Sequence, residues 1–487
     1  MLAWLKRLFG IEPERPAFSP AIPVQPREPS PSAAPQQASP ATPPAAPPPA
    51  AVPPPAAEPA AANVVPLSAE GEAGPADAAL SLLCRSEMLD RDQNLTGYAF
   101  ELREDVAGRI RATGRRARDF LDSLLVEQID RYGHGAALKA RRVCLRVWEG
   151  FLANPALERL QGLDATLLVR PELPTRGASA ETLASAARLR AAGVQIVLDH
   201  GEPGVWLDSM LPQADAALFR MGFCLPEDLG LYIRAVRQRR ADLPVWAWEV
   251  GTPDEFELAA KLGCTAFSGG FVTRREDWKG NSLSPHGMRL ASLLQRLRSG
   301  VDTQEIAVIL KHDLALAYRL LRYVNAAAWG LNHHISSVEQ AILVLGQQPL
   351  QRWVSMMLLG SARSAPGAAV VMEDALVRGR LLELLGGLRG ERDPAAQLFV
   401  LGLFSLLDVA LKVPLEDAIR PLKLPDPMQD ALLNQRGPMA PYLELVLAFE
   451  RGDAQRVTSF ASVLGIDVGE LNRLQFEALD WVHSAEA

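Results

Sequence analysis

Cysteine is scarce. Cys84, Cys144, Cys224 and Cys264 are the only four in 487 residues, widely spaced and without a Cys-x-x-Cys pair. That argues against a disulfide framework or a zinc knuckle and points to a reducing compartment. No apolar run approaches the roughly 18–20 residues of a membrane span, and residues 1–10 hold too short an apolar core for a secretory signal. A cytoplasmic protein is expected. Basic runs are missing too: the formal net charge is -7 with Lys and Arg scattered along the chain, so no nucleic-acid partner is expected. There is no phosphate loop, since no Gly-Lys-Ser/Thr follows Gly193, Gly201 or Gly204, and no Ser stands in a Gly-x-Ser-x-Gly turn.

Proline, by contrast, is plentiful and local: 20 of the 38 fall in the first 75 residues. Residues 13–75 are almost wholly Pro, Ala, Ser, Gln and Glu, which cannot bury enough apolar surface to offset chain entropy, so a disordered, partly polyproline II tether is expected. Before it, Leu2, Leu5, Leu8 and Phe9 share a helical face and Lys6 and Arg7 lie off it. A short basic amphipathic segment over 1–12 can lie on a membrane surface, dock on a partner, or be a frayed start with no role. With the tether set aside, 48% hydrophobic and 22% charged residues describe ordinary globular protein, in about two domains.

Between about residues 76 and 285, apolar runs alternate with helix-like stretches. Val143 to Val147, Ala165 to Val169, Val194 to Leu198, Ala214 to Phe219, Val245 to Val250 and Ala266-Phe267 read as strands, with Gly193 and Gly263 where helix C-terminal caps belong. Such alternation predicts a parallel α/β sheet, and its length suits a closed TIM-like barrel. From about residue 286 to 487 strand signals stop. Asp302-Thr303-Gln304-Glu305 and Ser336-Ser337-Val338-Glu339 read as capping boxes opening apolar-periodic runs, and an all-helical domain follows.

Asp313, Arg319, Leu320 and Asn325 within Asp313 to Ala327, then Ser336, Ser337 and Ala341, then Leu345-Gly346, are the positions of a continuous pattern. It resembles the signature of HDOD domains, helical relatives of the HD phosphohydrolases that lack their metal-binding residues. Upstream, Asp90-Arg91 with Gly97-Tyr98, Val197-Leu198-Asp199 and Thr252 to Ala259 are similar to the frame of EAL domains. The resemblance is to bacterial EAL–HDOD fusions and covers nearly everything after the tether. It implies a TIM-like barrel that, when active, hydrolyses cyclic di-GMP with two divalent metals, and a helical domain that binds partners.

Two hard cations that activate one water need a cluster of oxygen ligands at the barrel mouth. Set against the family frame, Ala99 stands at the name-giving Glu, with Glu101 about 6–7 Å further along the same strand face. Arg146 stands at the metal-binding Asn, Arg170 at the second Glu, and Asp199-His200 at the paired Asp. Either Leu218 or, with a slip, Arg220 falls at the Lys, while Trp248 and Gly251 replace two more Glu. Loss of hydrolysis, and therefore no enzyme, no catalytic residue, no metal and no cofactor, is the expectation. Two readings remain for Arg146, Arg170, Asp199, His200 and Trp248. They hold the phosphates and base of a nucleotide, or the Trp fills the barrel and the Arg side chains pair with Asp199 and Glu101. In the helical domain, His312-Asp313 and His333-His334 are too few for a metal site, because adjacent helical residues point about 100° apart, and Asp313 suits an N-cap.

The expected function is thus a non-catalytic signalling scaffold that acts through an unknown regulatory protein held by the HDOD domain. The alternative is a catalytically inactive receptor for cyclic di-GMP or another nucleotide. Residues 1–10 leave a peripheral contact with the inner membrane open, beside partner docking or no role.

Overall fold

The computed structural model describes residues 82–484 apart from 104–113, 134, 200–202, 224, 277, 279, 326–334, 363–365 and 389–391. The amphipathic start, the tether, His200 and His333-His334 therefore lie outside the described residues.

Strands β1 (Leu82–Leu89), β2 (Leu95–Arg103), β3 (Arg142–Trp148), β4 (Asp164–Arg170), β5 (Gln195–Asp199), β6 (Ala216–Arg220), β7 (Val245–Trp248) and β8 (Ala266–Ser268) close into a barrel in sequence order. The parallel sheet expected from the alternation holds from β2 to β8, but β1 runs antiparallel to both β2 and β8. The cause is the length of the β1–β2 connection. A parallel crossover needs a dozen or more residues, whereas Asp90 to Asn94 is a tight turn in which the Asp90 carboxylate accepts the Asp92 and Asn94 N–H groups. Gln93 completes it with φ 59.

Outside the barrel, described helices are α1 (Arg115–Tyr132), α2 (Ala136–Lys139), α3 (Ala180–Ala191), α4 (Val205–Met210), α5 (Pro226–Arg239) and α6 (Pro253–Leu262). Gly263 ends α6 in the left-handed region at φ 101, as its position as a cap predicts, and Gly193 at φ 93 lies one residue past the cap of α3.

The helical half begins with α7 (Pro285–Arg298), α8 (Thr303–Lys311), α9 (Leu314–Val324), α10 (Val338–Leu345) and α11 (Gln347–Leu359). The signature residues build these helices. Asp313 caps α9 by accepting the Leu316 N–H at 3.1 Å, Leu320 and Ala341 are buried, and Gly346 turns α10 into α11 at φ 74. Asn325 donates to the Leu321 and Ile335 carbonyls and accepts the Ile335 N–H, so it closes the segment between α9 and α10. One capping box differs from expectation. Ser337, not Ser336, is the cap of α10 and accepts from the Gln340 N–H, while Glu339 pairs with Lys311.

The remaining helices are α12 (Ala368–Gly387), α13 (Arg392–Phe404), α14 (Leu407–Leu411), α15 (Leu415–Ile419), α16 (Asp426–Asn434), α17 (Ala440–Arg451), α18 (Ala454–Leu464) and α19 (Gly469–His483). Three of them pack on the first strand. Because β8 pairs only with Met88 and Leu89, the rest of that edge of β1, from Leu82 to Glu87, is left without a strand partner. Side chains of α19 fill that role: Asn472 accepts the Leu83 N–H at 3.1 Å and Gln475 donates to the Leu83 carbonyl at 3.0 Å. Asn472→Ala leaves a buried N–H without this acceptor, so a loss of about 1–3 kcal/mol is expected in urea unfolding.

Candidate functional site

Side chains alternate along each strand, so Ala99 and Glu101 on β2, Cys144, Arg146 and Trp148 on β3, and Leu168 and Arg170 on β4 share the inner face. Asp199 on β5, Leu218 and Arg220 on β6, and Trp246 and Trp248 on β7 continue it. The lower layers pack into an apolar plug made of Met88, Ala99, Cys144, Leu168, Val197, Ala216, Leu218, Trp246 and Trp248. Burial there pushes the Cys144 thiol up to about 12, so it stays protonated.

Above this plug, at the C-terminal ends of the parallel strands, the charged residues meet. Arg146 donates from Nε to Asp199 Oδ2 at 2.6 Å and its Nη1 stands 3.8 Å from Glu101 Oε2. Across the mouth Arg220 pairs with Glu249. Glu249 follows β7 with φ 58, a left-handed backbone that only a few per cent of non-glycine residues adopt. Arg118 and Arg170 lie 4.3 and 4.4 Å over the Trp148 ring. Glu101, Asp122, Arg146, Trp148 and Arg170 together line one small cavity of about 20 Å³.

The structure therefore brings Arg146, Arg170 and Asp199 to one mouth, with Leu218 in the plug and Arg220 two residues further along β6 beside Glu249. Of the two readings left for Trp248, its position follows the one in which the ring fills the barrel. It is 9% exposed and belongs to the plug, so little ring surface is open to a base. Trp148 and Glu249 were not singled out from the sequence. Trp148 lies two residues beyond Arg146 on the same strand face and was accessible to that periodicity. Glu249 was not, since its reach depends on the left-handed turn after β7.

These residues do not fit a pair of divalent cations. Glu101 and Asp199 face a guanidinium, Glu249 faces another, and among the described residues no group of three or more His, Cys, Asp or Glu is arranged to hold a metal ion.

The HDOD domain family model matches residues 284–412. A closed eight-stranded barrel precedes that match, which is the domain order that the resemblance to EAL–HDOD fusions implies. Among particular relatives, the "Cyclic di-GMP phosphodiesterase CdgJ" of Vibrio cholerae serotype O1 is 31% identical over 236 residues, covering 48% of this chain and 54% of that protein. The "Uncharacterized protein YuxH" of Bacillus subtilis is 28% identical over 241 residues, covering 49% and 58%. The chain thus spans about half the length of these curated relatives. Among solved structures, the PaMucR phosphodiesterase in its c-di-GMP complex is 16% identical, with a TM-score of 0.32 over 39% of this chain and 90% of that one. The Bacillus subtilis YkuI protein, with an EAL domain in complex with c-di-GMP and calcium, is 14% identical with a TM-score of 0.33, over 55% and 73%. The expectation that the chain is no enzyme is corrected here, because a relative at 31% identity carries the name of a phosphodiesterase.

Proposed function

We propose that the chain is a cyclic di-GMP signalling protein whose barrel mouth takes up the dinucleotide and whose HDOD domain holds a regulatory protein partner. One observation carries the first half: Arg146, Arg170 and Trp148 line a single cavity at the mouth. Guanidinium groups are suited to bidentate phosphate contacts. The cavity has room for about a water molecule, so the dinucleotide lies across the mouth above it. For the second half, Leu314 and Tyr318 stand a turn apart on α9 and are exposed, which suits a protein contact. The proposal includes the division into a barrel over 76–285 and a helical domain over 286–487, and a cytoplasmic location. No helix among the described residues is long and apolar enough to cross a membrane.

Calorimetric titration of the full chain with cyclic di-GMP tests the mouth. Micromolar binding is expected, weakened at least tenfold in Arg170→Ala, about 1.4 kcal/mol or more. No heat at high ligand concentration removes the reading. The name of the Vibrio relative favours a second reading, hydrolysis by this barrel, and linear dinucleotide released in the same samples would establish it.

A further inference from the structure

We infer that Arg146 is a fixed internal cation that excludes divalent metal from the barrel mouth, so that the mouth takes a phosphodiester anion without metal. The inference rests on the dinucleotide reading above for its ligand, but its metal half stands on geometry alone. The Arg146 side chain is 11% exposed and that of Asp199 is 3% exposed, so their contact is largely shielded from water. Glu101 approaches the same guanidinium from β2, which puts one cation between the two acids of this wall. A guanidinium stays protonated at any physiological pH, so it does not vacate the site by titration. A hydrated divalent ion seeking Asp199 and Glu101 has to displace this partner or sit beside it, and both cost charge repulsion in a poorly solvated place.

The opposite wall repeats the arrangement. Glu249, held in a left-handed backbone, has its carboxylate on Arg220. Glu101, Asp199 and Glu249 each therefore face a side-chain cation before any ligand arrives. Arg146 keeps donor capacity for an anion, since Nε serves Asp199, Nη1 faces Glu101, and the fork has five N–H groups in all. A phosphodiester can share that guanidinium, whereas a metal cannot.

The test uses the full-length chain, Mn²⁺ alone as one probe and cyclic di-GMP as the other. Wild type is expected to show no Mn²⁺ binding at the mouth by calorimetry. Arg146→Ala is expected to gain Mn²⁺ binding through the released carboxylates, and Arg146→Ala with Asp199→Ala to lose it again. Should Arg146→Ala fail to fold, judged by thermal melting, Arg146→Gln keeps the side-chain volume and is read the same way. Cyclic di-GMP affinity in wild type is expected to agree within twofold between EDTA and Mg²⁺. Three results would overturn the inference: wild-type Mn²⁺ binding that Asp199→Ala abolishes, folded Arg146 variants that gain no Mn²⁺, or a tenfold gain in dinucleotide affinity from Mg²⁺. If cyclic di-GMP gives no heat in either buffer, the functional reading fails while the Mn²⁺ measurements still decide the role of Arg146.

Discussion

Arg85→Ala is expected to destabilise the folded chain by about 3–5 kcal/mol, the range for removing one partner of a buried ion pair. Arg85 projects from the outer face of β1 toward α12, where its Nη2 lies 2.9 Å from Asp374 and 3.0 Å from Glu87. Burial opposes its charge, and Glu87 and Asp374 outweigh that, so its pKa is raised. Asp374 shows the other side of the balance. Burial pushes its carboxyl well up, the Glu87 charge adds to this, and Arg85 opposes it. Tyr98, Glu373 and His483 join the same cluster, with the Tyr98 hydroxyl on Glu373 and 2.9 Å from His483 Nε2. A carboxyl whose folded pKa is raised binds its proton more tightly when folded than when unfolded. Its contribution to stability is full below the ordinary carboxyl pKa and is lost as pH rises through the folded value. Arg85→Ala removes the opposing charge and widens that window. The deficit of the variant is therefore expected to be smallest near pH 4 and to grow toward pH 8 in urea unfolding. A loss below about 1 kcal/mol at both pH values would show that the cluster does not depend on its cation. Arg85→Met with Asp374→Leu and Glu87→Gln should recover much of the loss, since an apolar replacement of a whole buried ionic group is often neutral.

That cluster also marks where sequence reading stops. Strands β3 to β8 were legible because their inner and outer residues are both apolar, as a covered parallel sheet requires. Arg146 and Arg170 were placed at the mouth because period two and the family frame agree. Arg85 and Asp374, however, are 289 positions apart, and nothing local in either segment announces the pairing. The direction of β1 was likewise hidden, since Leu82 to Leu89 carries Arg85 and Glu87 on the face that meets α12 and so lacks the apolar run of the other strands. The pairing depends on α12 packing against β1, a tertiary event that no single segment encodes. The same holds for Trp248. Its residue type suggested stacking on a base, while the number of side chains needed to fill the barrel placed it in the plug.

Gly402→Ala should separate two opposed effects by the sign of its stability change. In a helix interior, alanine is favoured over glycine by about 1 kcal/mol, so a gain is the default. Gly402 of α13 faces Gly379 of α12, and a Cβ at Gly402 would stand 2.6 Å from the Gly379 Cα and 2.7 Å from its nitrogen. Those are backbone atoms, which cannot rotate away. The reciprocal substitution meets the same wall, since a Cβ at Gly379 would lie 2.8 Å from the Phe399 carbonyl oxygen. The two helices touch at a pair of glycines because no larger residue permits that approach, and α12 is deeply enclosed, with Leu376, Leu382 and Leu385 at 0% exposure. Forcing the helices apart disturbs this packing, so Gly402→Ala is expected to cost about 3 kcal/mol net and Gly402→Val more, at or beyond the upper end for overpacking. Gly387 at the end of α12 has open space around its own added Cβ. Gly387→Ala is therefore the control, expected to leave stability unchanged or raise it by up to about 1 kcal/mol. Both are measured by urea unfolding of the full chain. A stabilised Gly402→Ala would mean that α12 and α13 do not approach at these glycines, and the packing that carries α12 against β1 would need another register.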